Sequence, residues 1–285
     1  LVLDARSALI GQYLAANGNV GKQAVEDPSP ANVPENAIPL MDEIRRVKRA
    51  KDLVPEIGKQ ASSGLRVLAA IDAGKSEVFR QLVQKHFVPL TAVNSRQDLH
   101  RSDYDYIKST LTAIQRQTLA RAKRSDGGWR SLNKGNFGHS GDDIWSAWAE
   151  TKIGAGGSLD AADPDPRSFI WLSPRLDYLA DDRIFARILL HELVHYVGKS
   201  SGPDAHVDSA YLQDAGQAYS CEGATCHKAD YAELATWQRI RNPDCYACFC
   251  LEATYGTDVL KSWRDQPQGE FDRPPIVKSG FGNAP

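Results

Sequence analysis

No stretch of this 285-residue chain approaches the ~20 consecutive apolar residues that a bilayer-spanning helix needs, so no membrane partner is expected. The first residues, Leu1-Val2-Leu3-Asp4-Ala5-Arg6, also lack the basic start and long apolar core of a signal peptide. The chain opens on Leu instead of Met, so either a processed chain or an excised piece of a longer one is expected, from which any leader could have been cut away. A dominant charge is missing as well: 34 Lys and Arg stand against 36 Asp and Glu, a formal net charge of −2. Residues 1–102 hold 14 basic and 11 acidic residues (+3) and the remainder 20 and 25 (−5), so neither portion has the balance of a polyanion binder. The one basic run, Arg45, Arg46, Lys48, Arg49 and Lys51, is interleaved with Asp42, Glu43 and Asp52, which is the composition of a solvated helix face; no nucleic-acid partner is expected. Internal repeats are absent. Cysteine is scarce and confined to Cys221, Cys226, Cys245, Cys248 and Cys250. Two disulfides with one thiol left over would suit an exported protein; free buried thiols and a second metal are the other readings, although paired CxxC spacing is lacking.

What is present is ordinary for a globular chain that buries a real core: 42% hydrophobic and 25% charged residues. The length suits two modest units. Pro28, Pro30, Pro34 and Pro39 mark residues 25–39 as an extended arm. Helical patterns follow at Leu40 to Val54, where Pro55 interrupts, at Leu65 to Ile71 and at Val78 to Val88, so residues 1–102 are expected to form a helical accessory or docking segment. From Asp103 a stripe of Tyr106, Ile107, Leu111, Ile114, Leu119 and Ala122 predicts a helix of some twenty residues that opens a second domain, residues 103–262. Gly-rich loops flank a short helix around Trp145 and Trp148, and Ser168 to Ser173 is the strongest strand, stopped by Pro174. A helix over Asp182 to Val197 ends at Gly198, and further helical stretches are expected from Asp208 and over Ala229 to Ile240. Residues 263–285, with Pro274 and Pro275, read as a loose tail.

The chemistry concentrates in His191-Glu192-Leu193-Val194-His195. Residues four apart on a helix lie on one face a turn apart, so both imidazoles can reach a single zinc ion, and Glu192, one step round, can hold the water that the ion activates. Ile188, Leu189, Leu190, Leu193, Val194 and Val197 make the frame apolar, which leaves three polar residues that burial must justify. A catalytic zinc usually takes three protein ligands and keeps one open position. The metzincin continuation is excluded, since Gly198 matches but Ser201 stands where a histidine is required. Glu222 and Glu233 are candidates for a glutamate ligand, and Asp204, His206 and Asp208 offer a nearer one.

Three ordered pieces then carry a family resemblance: His191 to His195, Gly202 through Asp208-Ser209-Ala210-Tyr211, and Asn242-Pro243-Asp244-Cys245-Tyr246-Ala247-Cys248-Phe249. Over roughly residues 103–256 the chain resembles the aspzincin metalloendopeptidases, the deuterolysin and peptidyl-Lys metalloendopeptidase group, whose pattern is HExxH, a GTxDxxYG-like segment and an NADxYxxF-like segment. The resemblance implies an α+β, zincin-like catalytic domain in which Zn2+ is bound by His191, His195 and a third ligand. Asp208 is preferred for that place because it keeps the D-x-x-Y spacing, with Asp204 as the alternative. It further implies Glu192 as general base, Tyr211 as hydrogen-bond donor to the tetrahedral oxyanion, and Asp244 in contact with the substrate side chain after the scissile bond. Lysine-specific members carry a second acid where this chain has Ala247, so a broad or mildly basic preference is expected.

The function expected from these signals is zinc-dependent hydrolysis of protein or peptide substrates by a secreted or exported monomer. Two other classes are compatible with the same residues: a toxin or effector protease whose N-terminal segment serves delivery or partner binding, and a non-catalytic protein stabilised by zinc. Glu192 beside the two histidines disfavours the last, because a structural site needs no general base.

Overall fold

The computed structural model describes residues 38–74, 77–89, 99–124, 127–131, 149–152, 169–198, 219–222, 225–228 and 234–264. By its contacts the chain divides into Leu1–Asp42 and Glu43–Pro285, and of the first unit only residues 38–42, the opening of a helix, are described. The Pro-rich arm, the short helix around Trp145, the helix expected from Asp208 and the tail from 265 onward all lie outside the described residues.

Pro55 begins a helix instead of ending one. Helix α1 (Ile38–Asp52) is followed almost at once by α2 (Val54–Asp72), with Pro55 in the first turn of α2, where its missing N–H has no helical partner to lose. The expected short pattern at Leu65 to Ile71 is the second half of this 19-residue helix. Helices α3 (Glu77–Phe87) and α4 (Arg101–Ala122) follow. A three-stranded sheet comes next in order β1-β3-β2, formed by β1 (Trp129–Ser131), β2 (Ala149–Lys152) and β3 (Phe169–Leu172). The central strand β3 runs parallel to β1, with Trp129 opposite Ile170, and antiparallel to β2, with Thr151 opposite Ile170. A 3-10 turn over Pro174–Tyr178 leads into α5 (Asp182–Val197). The hairpin β4 (Tyr219–Glu222) and β5 (Thr225–Lys228) places Cys221 and Cys226 at facing backbone positions. The short α6 (Thr236–Arg239), α7 (Pro243–Tyr255) and α8 (Thr257–Arg264) complete an α+β architecture dominated by helices.

The centre of the unit is α2, which packs against α4, α5 and α7. Ile57, Ala61 and Leu68 of α2, Ile107, Leu111 and Ile114 of α4, Phe185 and Leu189 of α5, and Phe249 and Leu251 of α7 belong to one buried cluster. Gly64 permits the closest approach: a Cβ there would meet Leu111 Cδ1 and Phe249 Cε1 at 3.0 Å and Cys250 Sγ at 3.1 Å. Polar bonds tie the same helices together, with Gln60 Nε2 donating to the Arg183 carbonyl at 3.0 Å and Gln115 Nε2 to Ser62 Oγ at 2.8 Å. The division expected between residues 102 and 103 therefore falls inside a single hydrophobic cluster, with members on both sides of it.

A buried arginine joins the sheet to α4 and α5. The Arg121 guanidinium lies 4.7 Å from the Trp129 ring centre and 4.6 Å from that of Tyr196, and donates to the carbonyls of Gly127 (3.1 Å) and Gly128 (2.9 Å). Gly128 has φ +75°, and a Cβ there would sit 2.3 Å from Arg121 Nη1, so only glycine satisfies both the backbone and the cation.

Candidate metal centre

Helix α5 has the expected bounds because both ends are marked. The Asp181 side chain accepts from the Arg183 N–H at 2.9 Å, an N-cap that satisfies one otherwise orphaned donor, and Gly198 closes the last turn through its N–H to the Val194 carbonyl at 3.0 Å. The hydrogen bond from the Arg183 side chain, helped by that backbone N–H, holds the Asp181 carboxyl below the usual aspartate range. From Ile184 to Tyr196 every residue but the half-buried His195 is buried, including His191 and Glu192, each 5% exposed. The helix is thus wrapped by the protein and presents its polar stripe at one side.

The two imidazoles stand with ring centroids 5.1 Å apart and planes at 68°. Two imidazoles sharing a tetrahedral zinc at a Zn–N distance of about 2.0–2.1 Å have centroids about 5.2 Å apart, so the pair already has the separation that a common zinc ion requires. Glu192 is fixed from the sheet side. Thr151 Oγ1, on β2, lies 2.7 Å from Glu192 Oε2 and 2.9 Å from its carbonyl oxygen, and shares its hydroxyl proton between them. This bond ties the Glu192 side chain to β2.

On the other side of His191 lies Asp244, in the first turn of α7 and 0% exposed. Arg187 Nη2 donates to Asp244 Oδ1 and lies 3.3 Å from Cys248 Sγ, while the Cys248 thiol donates to Asp244 Oδ2 at 3.5 Å. His191 Nδ1 is 3.6 Å from Asp244 Oδ1. Burial pushes the Cys248 thiol above the ordinary cysteine range, against the opposing pull of Arg187, so it is a neutral donor and not a thiolate.

Of the residues singled out in the sequence, the fold brings together His191, Glu192, His195 and Asp244. Asp204, His206, Asp208, Tyr211 and Glu233 lie outside the described residues, and Glu222 is described as a backbone position of β4. Asp244, expected to touch substrate, sits beneath the histidine helix with Arg187 across from it. Among the described residues no group of three or more His, Cys, Asp or Glu side chains converges to hold a metal ion. The sequence reading did not single out Thr151 or Arg187, and named Cys248 only as one of the five cysteines and within the third motif. Arg187 was within reach of a spacing argument, because it precedes His191 by one helical turn and so shares its face. Cys245, Cys248 and Cys250 are buried and in no disulfide, so two bridges among the five cysteines are ruled out.

Comparison with protein-family models, with curated proteins and with solved structures finds no match to this chain.

Proposed function

We propose that this protein is a zinc-dependent endopeptidase with a zincin-like catalytic domain, in which His191 and His195 bind the metal and Glu192 is the general base. The observation that carries the reading is the histidine pair, whose 5.1 Å centroid separation fits a shared zinc, next to a buried glutamate aimed by a strand hydroxyl. The third ligand is assigned to Asp208 and the oxyanion donor to Tyr211, both on the aspzincin resemblance, with Asp204 as the alternative ligand. Bound zinc supplies Lewis acidity, lowering the pKa of water towards ~7 and polarising a peptide carbonyl.

The protein's own residues then do the rest. Glu192 takes a proton from the attacking water and passes it to the leaving amine, which requires it to be ionised and correctly pointed before substrate arrives. The Thr151 hydroxyl serves the second need by holding Glu192 Oε2 from the sheet side. Burial of His191 and Glu192 keeps bulk water from competing for their hydrogen bonds and strengthens every charge interaction among them. Tyr211 would donate to the oxygen that gains charge as the carbonyl carbon becomes tetrahedral, an interaction that counts most in the transition state. Protein or peptide chains are the substrate class, and an exported protease is the setting the reading favours.

The test is metal analysis joined to a single substitution. Purified protein should contain one zinc per chain, and Glu192→Gln should keep the zinc while turnover of a denatured protein substrate falls by at least ~100-fold. Protein that binds no zinc on replete expression refutes the metal assignment, and full activity in Glu192→Gln refutes the role of the base.

A further inference from the structure

We propose that Asp244 is a positioning residue for the metal-binding imidazole of His191, held by Arg187 and Cys248, and is not the group that receives a substrate side chain. The inference rests on the zinc reading of His191 and His195 and deepens it.

Three observations carry it. Asp244 is 0% exposed and Arg187 is 2% exposed, so neither faces an open pocket. Both carboxylate oxygens already have partners, Oδ1 in Arg187 Nη2 and Oδ2 in the Cys248 thiol. A carboxylate neutralised by a guanidinium has little attraction left for a substrate ammonium, and exposing it would strand a buried arginine. The third observation is proximity: Oδ1 lies 3.6 Å from His191 Nδ1, a gap that a small side-chain adjustment closes to a hydrogen bond.

The chemistry follows from the two nitrogens of the ring. An imidazole binds zinc through one nitrogen only when that nitrogen is unprotonated, so the proton must sit on the other. A carboxylate oxygen at Nδ1 favours the tautomer with N–H there and leaves the Nε2 lone pair, on the far edge of the ring, for the metal. It also fixes the ring plane and raises the donor strength of Nε2. Arg187 serves this arrangement from the same helix: it stands one turn before His191, so the residue that anchors the carboxylate and the residue that uses it move together. The Cys248 thiol, one turn after Asp244 on α7, holds the second oxygen and stops the carboxylate from rotating away.

The experiment is zinc titration of the metal-free full-length chain against a chromophoric chelator, for the wild type, Asp244→Asn and the double variant Arg187→Met/Asp244→Leu, with thermal melts of each metal-free protein. The double variant is included because Asp244→Asn leaves Arg187 buried without its counter-charge, whereas replacing a whole buried pair by apolar side chains is often neutral for folding. Zinc affinity should fall about 10- to 100-fold in both variants, and in the double variant it should do so without a matching loss of thermal stability, which a purely structural ion pair would not produce. Wild-type zinc affinity in a folded variant overturns the inference and leaves the zinc site standing; a wild type that binds no zinc removes both. A readout on the unmodified protein settles the case where neither variant folds. In zinc-loaded, 15N-histidine-labelled wild type, His191 should show a protonated Nδ1 and a metal-bound Nε2, and zinc bound through Nδ1 would refute the proposal.

Discussion

Among the described residues, acid should loosen this protein at one buried carboxylate, Glu252 on α7. Its Oε2 accepts from His86 Nε2 at 2.7 Å, and its Oε1 accepts from Lys85 Nζ at 2.6 Å and from Thr257 Oγ1 at 2.7 Å, so α3, α7 and α8 meet there. Burial alone would raise the Glu252 pKa; the hydrogen bonds and charges of His86 and Lys85 outweigh it and hold the carboxyl down at about 2 against an ordinary 4.5. A carboxyl with a depressed folded-state pKa contributes stability that is whole above the unfolded value and is lost as pH falls towards the folded one. The full difference corresponds to about 3 kcal/mol, of which about 2 kcal/mol is gone by pH 3. His86 acts in the same direction, since burial lowers its pKa below 6.5, against the opposing bond from Glu252, and protonation from neutral pH downward then favours the unfolded chain. The perturbation is Glu252→Gln, which keeps the shape and an acceptor oxygen but cannot titrate. Urea unfolding at pH 7 and pH 3 should show the wild type losing about 2 kcal/mol more than the variant over that interval, with the variant less stable at pH 7. Equal losses in the two proteins would refute the reasoning, because the acid sensitivity would then lie elsewhere.

Three further substitutions probe the architecture. Gly128→Ala combines a positive φ with a 2.3 Å approach to Arg121 Nη1, so it should destabilise by about 2–4 kcal/mol in denaturant unfolding; a loss under ~0.5 kcal/mol would show that Arg121 can move aside. Thr151→Val keeps the side-chain shape but removes the hydroxyl that aims Glu192, and kcat should drop about 10-fold with KM little changed, measured on a peptide substrate. Phe249→Ala empties the junction where Gly64 of α2 and Leu111 of α4 meet α7, which should cost about 3–5 kcal/mol; a cost near 1 kcal/mol would mean the cavity collapses.

How far these elements were legible in the sequence depends on whether their determinants are local. Helix α5 was readable to the residue, because Asp181 and Gly198 mark its ends and the HExxH spacing needs only one turn of helix. Helix α7 was given no secondary structure from the sequence, although Asn242-Pro243 at its start and Gly256, φ +82°, at its end are ordinary helix punctuation. Pro55 was misread for the converse reason, since a proline looks alike whether it stops a helix or opens the next. The Asp244 to Arg187 contact joins residues 57 positions apart, and no periodicity encodes such a pairing. The apolar stripe of α2 likewise announces that it will be buried without saying against which helix, which is why the shared core of residues on both sides of 102 could not be anticipated.

That shared core bears on what can be inherited or expressed as a unit. The histidine helix is gripped from upstream at several points: Arg49 of α1 bonds Asp182 and lies over the Phe185 ring, Gln60 of α2 holds the Arg183 carbonyl, and Arg121 of α4 lies against Tyr196. A chain trimmed to start at residue 103 would remove Ile57, Ala61 and Leu68 from the buried cluster that also holds Phe185 and Leu189, and would lose two of those three grips. A portion that keeps all three grips therefore begins upstream of Arg49, and a recombination that swapped in a new leading segment downstream of that point would discard part of the scaffold along with the segment.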